Sequence, residues 1–209
     1  MIYGNLPEDL GEVELDPVEM MFWMYCPIST PGMGSSVELP DNLVQFAPII
    51  ERIVSYDYDE WSDNYVYLTA KTLWVSGDYI GNRPGWHADG FGTRDINYVW
   101  YDRAPTEFLE DDFTLPADCT DAMAIMESRA ASLPSTFYPS KHLLRLDQSV
   151  IHRCPVGFDA GMRTFVKVSL SADRYDLEGN SINHRLAERW ALKPRQAERN
   201  HPSTRGGGL

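Results

Sequence analysis

Cysteine is scarce and dispersed: Cys26, Cys119 and Cys154 make three, and no two form a Cys-x-x-Cys pair. Neither a disulfide framework nor a zinc knuckle fits that usage, and a reducing cytoplasm is the expected setting. Long apolar runs are also missing. The longest, Met20 to Cys26, is far too short to cross a bilayer. The first residues, Met1 to Asp9, lack the basic start and apolar stretch of a signal peptide, so no membrane role is expected. Positive charge is in short supply, with 18 Lys and Arg against 31 Asp and Glu and a formal net charge of −13. Such a surface repels phosphate backbones, which disfavours broad non-specific nucleic-acid binding but leaves room for a small basic groove. There is no P-loop, no dinucleotide-binding glycine fingerprint and no Gly-x-Ser-x-Gly, so nucleotide-driven and hydrolase readings have no motif behind them.

What is present is a chain of 209 residues, 43% hydrophobic and 12% aromatic, enough for one globular domain with a real core. Residues 1–12 are polar and turn-rich and read as a loosely held arm. Met20 to Tyr25 reads as a buried strand of sulfur and aromatic side chains, and residues 29–40 as a loop. Asp41 is placed to cap a helix reaching about Ser55, with Leu43, Phe46, Ile49, Ile50 and Ile53 on one face. Residues 56–63 read as an acidic, solvated connector. Tyr65 to Val75 and Asp95 to Tyr101 have strand character, and Asp118 opens a helix running to about Ala131. Phe137 to Val150 supplies one or two strands. From Arg163 to Leu170 the chain alternates: Thr164, Val166, Val168 and Leu170 face the core, while Arg163, Phe165, Lys167 and Ser169 share the other face. Residues 186–192 read as a short helix or strand. The domain is expected over 1–192, with a β-core at about 65–175, and 193–209 as a flexible basic tail.

The chemistry gathers at Trp86-His87-Ala88-Asp89-Gly90. His87 and Asp89 stand two apart, so on a strand they point to one face. A third ligand is available from His152. Two His and one carboxylate form the facial set that leaves open positions on a non-haem Fe(II). Arg163 follows His152 by eleven residues, an interval that fits a hairpin turning through residues 155–161. Taken singly, each member has a bland reading: His87 a surface or satisfied histidine, Asp89-Gly90 a turn, Arg163 half of an ion pair. His142 is the rival for the distal ligand. Arg153 follows it, but the stretch between them reads as carrying no turn, so His152 is preferred. Asn82, Arg83 and Arg94 flank the site as further contacts, and Trp86 reads as structural.

The ordered set His87-x-Asp89, His152, Arg163 resembles the Fe(II)/2-oxoglutarate-dependent oxygenase superfamily. The stretch Asn82 to Gly92 is also similar to bacteriophage and prophage members. The resemblance implies an all-β, double-stranded β-helix (jelly-roll, cupin-like) fold with flanking helices. It implies Fe(II) on His87, Asp89 and His152, and 2-oxoglutarate as co-substrate with its far carboxylate on Arg163. Dioxygen and an unidentified prime substrate (metabolite, nucleotide or nucleic acid, or protein) would complete a hydroxylation releasing succinate and CO2. A guanidinium suits that carboxylate because it is planar, bidentate and permanently charged. The competing expectations are a cupin-like metal enzyme that does not use 2-oxoglutarate, which leaves Arg163 unexplained, and a non-catalytic jelly-roll interaction protein.

Overall fold

A computed structural model describes residues 2–77 and 79–195. The elements, in chain order, are β1 (Glu8–Glu12), β2 (Met20–Ser29), a 3-10 helix (Asp41–Phe46), α1 (Ala47–Tyr56), α2 (Tyr58–Asp63), β3 (Tyr65–Val75), β4 (His87–Ala88), β5 (Ile96–Tyr101), β6 (Glu107–Leu109), α3 (Cys119–Ala130), β7 (Ser135–Phe137), β8 (His142–Leu146), β9 (Ile151–Arg153) and β10 (Gly161–Ser171). They form a six-stranded sheet in the order β1-β8-β5-β10-β3-β2 and a four-stranded sheet in the order β4-β9-β6-β7. Every strand pairing among the described residues is antiparallel. The protein is thus mostly antiparallel β with a few helices. Among the described residues no helix is long and apolar enough to cross a membrane.

Strand β10 is central. It pairs with β3 along its whole length, from Gly161↔Val75 to Ser171↔Tyr65, and with β5 from Phe165↔Tyr101 to Leu170↔Ile96. Its alternation sorts two environments. Val166, Val168 and Leu170 join Val66, Leu68, Ala70, Tyr98 and Trp100 beneath Leu43, Phe46, Ile49, Ile50 and Ile53. The helical face expected from spacing therefore covers the outside of the larger sheet. The opposite face of β10 turns toward the smaller sheet, where Val99, Tyr101, Leu144 and Leu146 pack with Phe108 of β6.

Several expectations need correction. Asp41 caps nothing: Pro40 holds the cap position without a side-chain bond, the first turns are 3-10, and α1 begins only at Ala47 with Pro48 in its first turn. A proline has no N–H to give to a preceding carbonyl, so the α-helical bonding starts there. Asp41 instead pairs with Arg185. The supposed solvated connector contains α2, because Trp61 must be buried and is, completely. The amino-terminal arm is an edge strand, with Glu8 opposite Arg145 and Asp9 opposite Leu144. Met20 to Tyr25 is a strand but not a buried one: Met21 is 81% exposed and Phe22 47%, since β2 is the other edge and its register against β3 shifts repeatedly. Residues 186–192 form neither helix nor strand.

The hairpin expected between His152 and Arg163 does not form. β9 lies in the smaller sheet and β10 in the larger, so the intervening chain crosses between sheets. The start of the tail is bonded to the body: Lys193 N–H donates to the Asp176 carbonyl at 2.7 Å, and Arg195 donates to Glu178 O and Asn180 Oδ1. The rest of the tail expected over residues 193–209, including His201, lies outside the described residues. By contrast, the helix expected from Asp118 to about Ala131 forms as α3, and Asp118 proves to be its cap, its carboxylate accepting from the Thr120 and Asp121 N–H groups.

Ile53 is fully buried where α1 meets the sheet. Ile53→Ala is expected to cost about 2–5 kcal/mol of stability, the range for emptying a packed aliphatic site, as read by urea unfolding.

Candidate metal centre

The smaller sheet holds the candidate ligands. β4 has only two residues, but its pairing places His87 directly opposite His152, with Ala88 opposite Ile151. The two imidazole centroids are 4.6 Å apart. So short a strand needs outside support, and β9 receives it from β6, where Phe108 faces His152 and Glu107 faces Arg153. Glu107 is 3% exposed. Its Oε2 accepts from Arg153 Nε at 3.0 Å, Arg153 Nη2 at 2.7 Å and Ser135 Oγ at 3.0 Å, and its Oε1 accepts from the Val156 N–H. Arg153 in turn lies over the Trp86 ring, 4.5 Å from its centroid. Trp86 itself is buried among Ala88, Leu109, Phe113 and Met126. This network of side chains fixes both histidine-bearing strands from behind.

Asp89 is not on the strand but in the turn that follows it. That turn requires glycine at position 90. Gly90 has φ +70°, and a Cβ there would sit 2.9 Å from Asp95 Cβ and 3.1 Å from Thr93 Oγ1. Its carbonyl accepts from both the N–H and the hydroxyl of Thr93. The chain is thereby bent just after the carboxylate, swinging Asp89 back toward the histidines.

One potential ligand atom from each of His87, Asp89 and His152 lies within 4.8 Å of the others. His87 Nδ1 is 2.9 Å from Gly85 O, and His152 Nδ1 is 3.2 Å from Val150 O. A carbonyl can only accept, so each Nδ1 donates to its carbonyl and Nε2 is the ring atom left to face a metal. Burial, then the nearby His152, pushes the His87 pKa down to about 4, so this imidazole is neutral near pH 7. Burial alone would raise the Asp89 carboxyl, but Lys167 and the two histidines together hold it well below the usual range. Two imidazole nitrogens and one carboxylate are a donor set suited to a divalent ion with open positions.

These groups line a cleft of ≈ 1140 Å³ whose wall also includes Phe22, Tyr25, Lys71, Phe91 and Phe165. Lys167, on the same face of β10 as Arg163, reaches across to Asp89: Nζ is 3.0 Å from Oδ2. Arg163 lies four residues away along β10, about 13 Å of strand, and does not form part of the cleft wall. It is 2% exposed. Nε donates to Arg103 O at 3.0 Å, while Nη2 is buried with no hydrogen-bond partner. Cζ sits 5.2 Å from the Phe165 centroid and 5.8 Å from that of Tyr101. The structure thus gathers the three proposed ligands and places the arginine behind Phe165.

Of the secondary candidates, Asn82 and Arg83 line the cleft, whereas Arg94 is exposed and away from it. The chain after His142 does turn, where the Val150 N–H donates to Asp147 O at 3.2 Å. His142 is nonetheless no rival: it is on β8, pairs with Asp9 at 2.9 Å, and belongs to the other sheet from His87 and His152. Sequence reasoning passed over Lys71. It is 7% exposed, its ammonium donates to Gly81 O, and burial followed by the Arg163 charge pushes its pKa down to about 8. The available signal was a lone lysine at the centre of an otherwise uncharged strand, Tyr65 to Val75.

No known family's sequence model matches the chain. No curated protein sequence matches it either. Among solved structures it is similar to a full-length Neurospora crassa protein in complex with alpha-KG, with TM-score 0.31 and 12% identity over 65% of this chain and 40% of that one. It is also similar to the same protein in complex with alpha-KG and 5-formyluracil, with TM-score 0.33 and 10% identity over 68% of this chain and 52% of that one. The chain therefore spans about half or less of these two solved chains, and a likeness this distant carries no argument about function.

The Lys71 shift has a measurable consequence. With a native pKa of about 8 below the unfolded value of about 10.5, the native state resists holding this proton. The cost is full below pH 8 and fades as pH rises toward 10.5, because the unfolded chain then binds more protons. Lys71→Met is expected to stabilise the protein at pH 7, on the order of 1–3 kcal/mol, with the gain shrinking between pH 8 and 10.5. Denaturation midpoints across that range check it.

Proposed function

We propose that the protein is an Fe(II)- and 2-oxoglutarate-dependent dioxygenase built on a double-stranded β-helix, hydroxylating its substrate with release of succinate and CO2. The observation that carries this reading is the convergence of one ligand atom each from His87, Asp89 and His152 at the wall of a cleft. The donors fit Fe(II): both Nε2 atoms are freed by their Nδ1 contacts, and the carboxyl is ionised. The orphaned, buried Arg163 Nη2 fits a carboxylate that would complete its bonding, because an unpartnered charged donor is costly to bury.

In this reading His87, Asp89 and His152 would hold iron, which would supply the oxidative chemistry of 2-oxoglutarate decarboxylation and C–H hydroxylation. Each protein group has a definable task. The Gly85 and Val150 carbonyls fix the imidazole tautomers and ring orientations. Arg163 is assigned the far carboxylate of 2-oxoglutarate: its Nε is held by Arg103 O, and Phe165, which stands between it and the cleft, would have to turn aside for the carboxylate to reach the unpartnered Nη2. Phe22, Met24, Phe91 and Phe165 give the cleft apolar wall, which excludes water from the reacting centre and strengthens the polar contacts there.

Anaerobic titration of the protein with Fe(II) and then 2-oxoglutarate is expected to give a weak visible charge-transfer band only when both are present. Iron binding without that band would favour a cupin-like metal enzyme that does not use 2-oxoglutarate, and no iron binding would favour an interaction protein. Asp89→Ala is expected to weaken Fe(II) binding about 100-fold or more in a folded protein. Arg163→Ala is expected to leave iron binding intact while raising the 2-oxoglutarate concentration for half-saturation about tenfold or more. Unchanged half-saturation would assign the far carboxylate to another residue.

A further inference from the structure

Lys167 stands closer to the candidate ligands than the proposed chemistry requires. Its ammonium is 3.0 Å from Asp89 Oδ2 and 3.3 Å from the Tyr25 hydroxyl. The same Oδ2 is 3.6 Å from His152 Nε2. The carboxylate oxygen facing a ligand nitrogen is therefore the one already occupied by a cation. The backbone of Lys167 cannot withdraw: it lies mid-strand in β10, paired with Thr69 on one side and Val99 on the other. Only the side chain can yield.

It has somewhere to go. Nζ lies 5.1 Å from the Tyr25 ring centroid as well as near its hydroxyl. Tyr25 is itself fixed, with φ +48°, its N–H donating to Thr69 Oγ1 at 2.9 Å and its ring set edge-on against Tyr175. A held aromatic ring with a hydroxyl is a good second resting place for an ammonium.

We infer that Lys167 is the counter-cation of Asp89, competing with a divalent ion for its Oδ2 and moving onto Tyr25 when the ion binds. Without such a partner, a carboxylate set between two imidazoles in a cleft would be unmatched. With it, Asp89 is charge-matched within the protein, and a divalent ion has to displace a positive charge to use Oδ2. Lys167 thus sets metal affinity as a positioning residue, holding Asp89 pre-oriented while keeping the binding of metal alone weak. The inference rests on the assignment of His87, Asp89 and His152 as metal ligands.

The test is calorimetric titration of the metal-free full chain with Mn(II) alone, comparing wild type with Lys167→Met, Lys167→Gln, Lys167→Arg and His87→Ala. Both neutral variants are expected to bind Mn(II) about tenfold or more tighter than wild type, as expected for removing a like charge at this distance. They should also melt lower without metal and show a larger rise in melting temperature with it. Lys167→Arg restores the cation and should return affinity toward the wild-type value, which a purely structural role would not predict. If the neutral variants bind equally or more weakly while His87→Ala abolishes binding in the wild-type background, the metal site stands and the inference is overturned. If His87→Ala binds Mn(II) as wild type does, the ligand assignment fails and the inference falls with it.

Discussion

A carboxylate drawn away from bulk water has to be matched by positive charge, and in this protein the match comes from the opposite sheet. Asp89 hangs from the turn after β4 in the smaller sheet, while Lys167 rises from the middle of β10 in the larger one. Their contact joins the two layers at the cleft. The alternation of β10 makes this possible, because a one-residue slip would bury Lys167 under α1 and turn Val166 and Val168 into the cleft. The fully paired register with β3 and β5 prevents that slip. Position in the sheet and chemistry in the cleft are thus one constraint expressed twice.

The smaller sheet is held together differently. β4, β6, β7 and β9 are two or three residues long, too short for backbone pairing alone to define them. Side chains supply what length does not: Glu107 gathers Arg153, Ser135 and the Val156 amide, and Arg153 is pressed against Trp86. The buried acid and its cation lie next in sequence to Phe108 and His152, so a charged network orders a strand whose neighbouring residue faces the candidate metal position.

Legibility in the sequence followed length and periodicity. β3 and the Arg163 to Leu170 part of β10 were readable because a long stretch of strand pattern averages out local noise, and α1 because five apolar residues repeat with helical spacing. The start of α3 was readable at Asp118, whose carboxylate suits the first turn of a helix and accepts its free N–H groups. Asp41, with the same chemistry, misled because Pro48 downstream controls where α-helical bonding begins. Short strands carry too little pattern to be placed, which is why Asp89 was expected on a strand rather than in a turn. The crossing between β9 and β10 was hidden because a turn-rich stretch closes a hairpin or bridges two sheets with the same residues. His87, Asp89 and His152 could be grouped from order alone, but no periodicity could say that Lys167 would touch Asp89, or that Lys71 would be buried near Arg163.

The irregularity of the two outer strands has a consequence for how copies of this protein meet. An open sheet ends in rows of free backbone donors and acceptors, and a straight, regular edge invites a second molecule to continue the sheet. Here one edge, β2, breaks register three times against its neighbour, and the other, β1, breaks between Asp9 and Glu12 while presenting acidic side chains. Neither margin offers the evenly spaced ladder that edge-to-edge polymerisation needs. The distortions that carry Tyr25 toward the cleft therefore also act as a guard against aggregation.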